Sequence, residues 1–131
     1  MSSAGAERRR YVRVKASVRV RYKFYHCFEE TLSSEVCEGL TENISSGGIF
    51  LRGKIPKPEW VPELLQRRMV MALKIFLPTE QEPVKALARL AWIEGMKGED
   101  RENWAMGLEF QEMSAEDRDK ITLFVIKTQL P

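Results

Sequence analysis

Apolar and polar residues alternate with a period of two along much of this chain. Val12, Val14, Ala16, Val18, Val20, Tyr22 and Phe24 take one parity, and Arg13, Lys15, Ser17, Arg19, Arg21, Lys23 and Tyr25 the other. Successive side chains of a strand point to opposite faces, so the run predicts one long half-buried strand with an apolar face and a mostly basic one. A second strand is predicted from Glu35 to Thr41, broken by Asn43-Ile44-Ser45-Ser46-Gly47-Gly48, and Ile49 to Leu51 resume a short strand that Gly53 closes. Pro56, Pro58 and Pro62 make 54–66 a loop, with at most one helical turn at Val61–Arg67. Alternation returns in Met69, Met71, Leu73, Ile75 and Leu77, which Pro78 ends, and again in Val84, Ala86, Ala88, Leu90 and Trp92. After a polar turn from Gly95 to Glu102, Trp104, Met106, Leu108 and Phe110 form the last strand. Six such strands with mostly short polar connections imply an antiparallel barrel or sandwich. Ser114 with Asp117 three residues on marks a helix start, and Ile121, Phe124 and Val125 recur at the spacing that docks a helix on the sheet.

At 131 residues, 44% hydrophobic and 31% charged, the chain has the composition of a single globular domain. Residues 1–10 lack apolar periodicity and read as an N-terminal arm that is mobile without ligand, ahead of one domain over 11–131. No apolar run is long enough to span a bilayer, and the basic start has no apolar stretch behind it, so neither membrane insertion nor secretion is expected. Cys27 and Cys37 are accordingly expected as reduced thiols of a cytoplasmic protein. They and the one histidine, His26, lack the spacing of metal ligands, and no cofactor is expected.

The net charge of +2 hides an uneven distribution. Arg8, Arg9, Arg10, Arg13, Lys15, Arg19, Arg21 and Lys23 crowd one segment, whereas Glu29, Glu30, Glu35, Glu38 and Glu42 follow with no base among them. Such clustering suggests a local anion site rather than a surface that coats nucleic acid. Arginine suits it, since its planar fork can engage phosphate oxygens or the O6/N7 edge of guanine with two hydrogen bonds. The second chemical feature is Asn43-x-Ser45-x-x-Gly48, where Asn and Ser can cap a turn or present polar groups outward, and Gly47 and Gly48 permit positive φ or close approach of a ligand to the backbone. Taken alone, each feature reads more simply as structure, the first as a solvated basic end and the second as an ordinary turn. No catalytic residues are expected: there is no nucleophile elbow or Walker loop, and His26 and Cys27, as strand neighbours, would face opposite ways. Glu99, Asp100 and Glu102 read as a solvated charged turn. Trp92 reads as a packing residue, with purine stacking as the alternative.

Taken in order, Arg9-x-x-x-Arg13 and Asn43-x-Ser45-x-x-Gly48 resemble the paired signature of the PilZ family, Arg-x-x-x-Arg followed by Asp/Asn-x-Ser-x-x-Gly. Arg89-Leu90-Ala91-Trp92, Met106-Gly107-Leu108-Glu109-Phe110 and the terminal helix also look like that family's later elements, so the likeness runs from about Glu7 to Leu130. The resemblance implies a β-rich, six-stranded antiparallel split barrel with a C-terminal helix, serving as a non-enzymatic bacterial receptor for the second messenger cyclic di-GMP. It implies that Arg9 and Arg13 hold guanine edges and phosphates, that Asn43 and Ser45 hydrogen-bond a guanine, and that Gly48 permits the tight turn. Arg8, immediately before the motif, accompanies an intercalated pair of ligand molecules in this family, so a two-molecule ligand is expected. Asn43 stands where many members carry aspartate, which exchanges an acceptor-only group for a mixed one. Ligand-driven ordering of the arm would then signal to a downstream protein controlling a process such as motility or biofilm formation. Two rivals are a PilZ-like, pilus-associated interaction protein that binds no nucleotide, and a single-strand nucleic-acid binder, whose strand face would need more aromatics than Tyr25.

Overall fold

The computed structural model describes residues 12–95 and 103–130. Eight strands and two helices follow one another: β1 (Val14–Lys15), β2 (Arg19–His26), β3 (Thr31–Leu32), β4 (Cys37–Ile44), β5 (Gly48–Lys54), α1 (Trp60–Leu65), β6 (Met69–Ile75), β7 (Val84–Gly95), β8 (Asn103–Glu112) and α2 (Ala115–Gln129). All pairings are antiparallel. The hydrogen-bonded order β4-β5-β8-β7-β6-β2 closes through a further β2–β4 pairing, giving a six-stranded barrel with β1 and β3 as short additions at its ends. Closure removes the unpaired edges that an open sheet of this length would expose.

The long first strand expected from residue 12 to 25 is divided in two. Its alternation survives the division: Val14, Val18, Val20, Tyr22 and Phe24 are all buried. The break at 16–18 is filled by one side chain. The Thr41 hydroxyl accepts from the Val18 amide (2.9 Å) and donates to the Ala16 carbonyl (2.5 Å), while the Thr41 amide donates to the Val18 carbonyl (3.0 Å). A threonine hydroxyl thus replaces a missing rung of the ladder, and β4 can pair with β2 along its first half and with β1 along its second. β4 also runs further than expected, to Ile44, so Asn43 is a strand residue and the turn shortens to 45–47. The hairpin strand β3 was not visible in the alternation, because its two residues are both exposed.

The barrel interior holds the apolar parity of every strand, including Leu51, Met71, Ile75, Val84, Met106 and Leu108. Tyr22 is buried with its hydroxyl donating to the Lys54 carbonyl (2.7 Å), and burial, reinforced by nearby Cys37, holds its phenol pKa well above the ordinary range. A Cβ on Gly53 would collide with that hydroxyl, which explains a glycine inside β5. The single turn allowed by the proline-rich loop is α1, and its Leu64 plugs the barrel beside Trp60.

The C-terminal helix begins where expected: the Ser114 hydroxyl accepts from the Asp117 amide (3.0 Å). Asp117 in turn accepts from the Lys85 amide (3.0 Å), fixing the start of α2 to the start of β7. Ile121, Phe124 and Val125 are its buried face. No helix among the described residues is long and apolar enough to cross a membrane.

Candidate functional site

The turn between β4 and β5 is built by Ser45. Its hydroxyl accepts from the amides of Gly47 (3.2 Å) and Gly48 (3.1 Å) and lies 3.2 Å from the Gly48 carbonyl, to which it can donate. The Ser45 amide also donates to that carbonyl (2.9 Å). A serine hydroxyl has one donor and two acceptor positions, and all three are engaged within the turn. Ser45 is only 5% exposed.

Gly48 follows directly, and the reason for glycine is close approach rather than positive φ. A Cβ there would run into the Leu108 carbonyl of β8, and the backbone φ lies outside the left-handed region. Gly48 pairs with Glu109, so any side chain would push β5 away from β8 at the mouth of the turn.

Asn43 precedes the turn on β4, half-buried, with its amide making no hydrogen bond to a described residue. β1 brings the arginine motif to it. The pairs Val14↔Ile44 and Lys15↔Asn43 fix the register, so Arg13 emerges beside the turn. Arg13 is exposed and has no ion pair with any described residue. Arg8 and Arg9, with Arg10, lie outside the described residues.

Asn43, Ser45, Gly47 and Gly48 form one side of an open cleft of about 930 Å³, with Arg13 at its rim. Sequence-predicted site residues that are described therefore converge. The rest of the lining comes from the neighbouring strands and α2 and contains residues the motifs do not include: Ala91, Trp92, Gly107, Glu109 and Arg118.

Trp92 packs as expected, but on the outer face of the barrel. The β7–β8 register slips between Leu90 and Trp92, and that bulge reverses the alternation. Ile93 then turns toward the core, and Trp92 is left 42% exposed. Its indole lies against Gly107, where a Cβ would overlap the ring, and it meets Phe50 edge-on with centroids 4.9 Å apart. Phe50 lines the cleft because Ile49 and Leu51 occupy the inward parity.

Arg118 reaches from α2 to the turn, its Nη1 donating to the Ser46 carbonyl (2.7 Å). An arginine near a helix N-terminus is disfavoured by the helix dipole. That unfavourable placement, four residues after the capping serine, is a sequence signal for a specific tertiary partner. Across the cleft, Glu109 accepts from Arg89 through two bonds, from Nε (3.1 Å) and Nη2 (2.8 Å), both to Oε2.

Among the described residues the cleft thus combines a cation without an ion pair, a turn held by a serine, a side-chain amide without a hydrogen bond and an aromatic pair whose Trp92 is exposed. That set suits a planar, anionic, hydrogen-bonding ligand such as a purine nucleotide. No group of acidic, histidine or cysteine side chains among the described residues could hold a metal ion.

The family described as PilZ domain matches residues 7–127. No curated protein matches the chain by sequence. Among solved structures, the Bacillus subtilis inhibitor of motility MotI/DgrA is similar with 26% identity and a TM-score of 0.67, over 93% of this chain and 51% of that one. The chain therefore spans about half the length of that protein. The PilZ domain of Escherichia coli YcgR with c-di-GMP is similar at 16% identity and TM-score 0.56, over 93% and 92% of the two chains. Borreliella burgdorferi PlzA in complex with c-di-GMP is similar at 15% identity and TM-score 0.57, over 98% and 57%.

Proposed function

We propose that this chain, which belongs to the PilZ domain family, is a receptor for cyclic di-GMP that passes a signal to a protein partner. The observation that carries the reading is the convergence of Arg13, Asn43 and the Ser45–Gly48 turn on one cleft faced by Trp92. Two of the structurally similar PilZ proteins are complexes with that nucleotide, which supports the choice of ligand.

The ligand carries two phosphates and two guanines. Arg13 supplies a permanent charge at the cleft, and Arg9 of the same motif, with Arg8 before it, would add further forked cations for the phosphates and guanines. A bidentate arginine–guanine contact contributes roughly 1–3 kcal/mol of discrimination. Asn43 offers both a donor and an acceptor to a base edge. Ser45 contributes by holding the turn in shape, and Gly47 and Gly48 put no side chain between it and the ligand. Trp92 offers a π-face on which a purine can stack.

Signalling follows from where the arginines sit. Arg9 and Arg13 lie on the segment leading into β1, so a ligand bridging them to the turn fixes that segment against the barrel. The surface so formed is what a partner would read. The function needs binding alone, with no bond made or broken.

Calorimetric titration with cyclic di-GMP tests the reading. Saturable binding is expected, with Arg9→Ala and Arg13→Ala each weakening it about tenfold or more. Two ligand molecules per chain, falling to one in Arg8→Ala, are expected if Arg8 supports an intercalated pair. Absence of binding, or unchanged affinity in both the Arg9 and Arg13 variants, would reject the receptor reading.

A further inference from the structure

Glu109 is a misfit in the cleft as a phosphate site. The other charged residues lining it are Arg13 and Arg118, which suit an anion, and a carboxylate there repels one. Its geometry shows what it can do instead. Both Arg89 bonds fall on Oε2, which leaves Oε1 without a hydrogen bond to any described residue. Arg89 stands opposite Glu109 in the β7–β8 register and anchors the carboxylate by that one oxygen. On the other side Glu109 pairs with Gly48, which has no side chain to cover it. Ala91 and Gly107, also small, line the same cleft. The result is an anchored carboxylate, 52% exposed at its side chain, beside the turn and near a planar aromatic.

An ionised carboxylate only accepts hydrogen bonds, so its natural partner in a nucleotide is a base edge made of donors. Guanine presents two adjacent donors, N1–H and the N2 amino group. Adenine presents an acceptor, N1, beside its amino group, and phosphate presents no donor at all. We infer that Glu109, held by Arg89 and two strands along the sheet from the strand that carries Asn43, selects guanine by accepting from its N1–H and N2 amino group. This rests on the cyclic di-GMP reading and adds the group that makes it specific for the base. Arg89 acts as a positioning residue, since its donors face Glu109.

The 2-amino group is the informative atom. Cyclic di-IMP, whose hypoxanthine bases lack it, keeps the phosphates and the O6/N7 edge that arginines engage. Titration of the full chain with both ligands should give about tenfold or greater preference for cyclic di-GMP. In Glu109→Gln, one acceptor position becomes a donor facing a donor, so cyclic di-GMP affinity falls to near that of cyclic di-IMP and the preference collapses. Arg89→Ala, which breaks the ion pair but keeps the carboxylate, should retain most of the preference. An equal preference in wild type and Glu109→Gln overturns the inference. So does an equal loss in Glu109→Gln and Arg89→Ala, which would mark the pair as structural. Wild type that binds cyclic di-GMP without discriminating against cyclic di-IMP overturns this inference alone. Wild type that binds neither ligand overturns it together with the receptor reading.

Discussion

Residues in this cleft divide into those that present chemistry and those that hold others in place, and Ser45 shows the difference. It belongs to the motif, yet its hydroxyl is engaged with Gly47 and Gly48 and it is nearly buried. Ser45→Ala strands two turn amides. A loss of about 1–2 kcal/mol of stability is expected by chemical denaturation, together with weaker cyclic di-GMP binding. Stability unchanged within error would show that the turn does not need the hydroxyl. Gly48 is legible in the sequence as a turn glycine, but its physical reason is contact with the Leu108 carbonyl, sixty residues away, which no local pattern contains. Arg118 and Glu109 were equally invisible as site residues. Their roles come from the meeting of α2 and β8 with a distant turn, and only the odd placement of Arg118 near a helix start hinted at it.

Elements were more legible than contacts. Period-two alternation found four of the barrel strands, because each has one face in the core and one in solvent, and turn signals bounded the two around the Asn43–Gly48 segment. Its failures have local causes. A side-chain hydroxyl replaces backbone pairing at 16–18, a bulge after Leu90 reverses the phase and puts Trp92 outside, and β3 has no buried residue to create a pattern. The first of these matters for function, since the Thr41 bridge lets β1 pair with the end of β4 and carry Arg13 to the turn. Thr41→Val keeps the shape but leaves the Val18 amide and the Ala16 carbonyl unpaired. It should destabilise the domain by about 1–3 kcal/mol in denaturant melts and weaken cyclic di-GMP binding, because Arg13 loses its register. A variant with wild-type affinity would separate the bridge from the site.

At the scale of the molecule, the barrel is closed by the β2–β4 pairing, and an open cleft lies among the β4–β5 turn, strands β7 and β8 and the start of α2. The other tryptophans provide the contrast that a test needs. Trp60 packs with Phe24 and His26, and Trp104 lies near Gly95, while Trp92 alone of the three lines the cleft. Their indole N–H groups give three separate signals in a nitrogen–proton correlation spectrum, and these can be followed as cyclic di-GMP is added to the 15N-labelled chain. The account predicts that the Trp92 indole shifts saturably, together with the amides of Gly47 and Gly48, while the Trp60 indole stays in place. Shifts confined to Trp60 and its surroundings, or a spectrum unchanged at saturating ligand, would contradict the claim that this cleft is the nucleotide site.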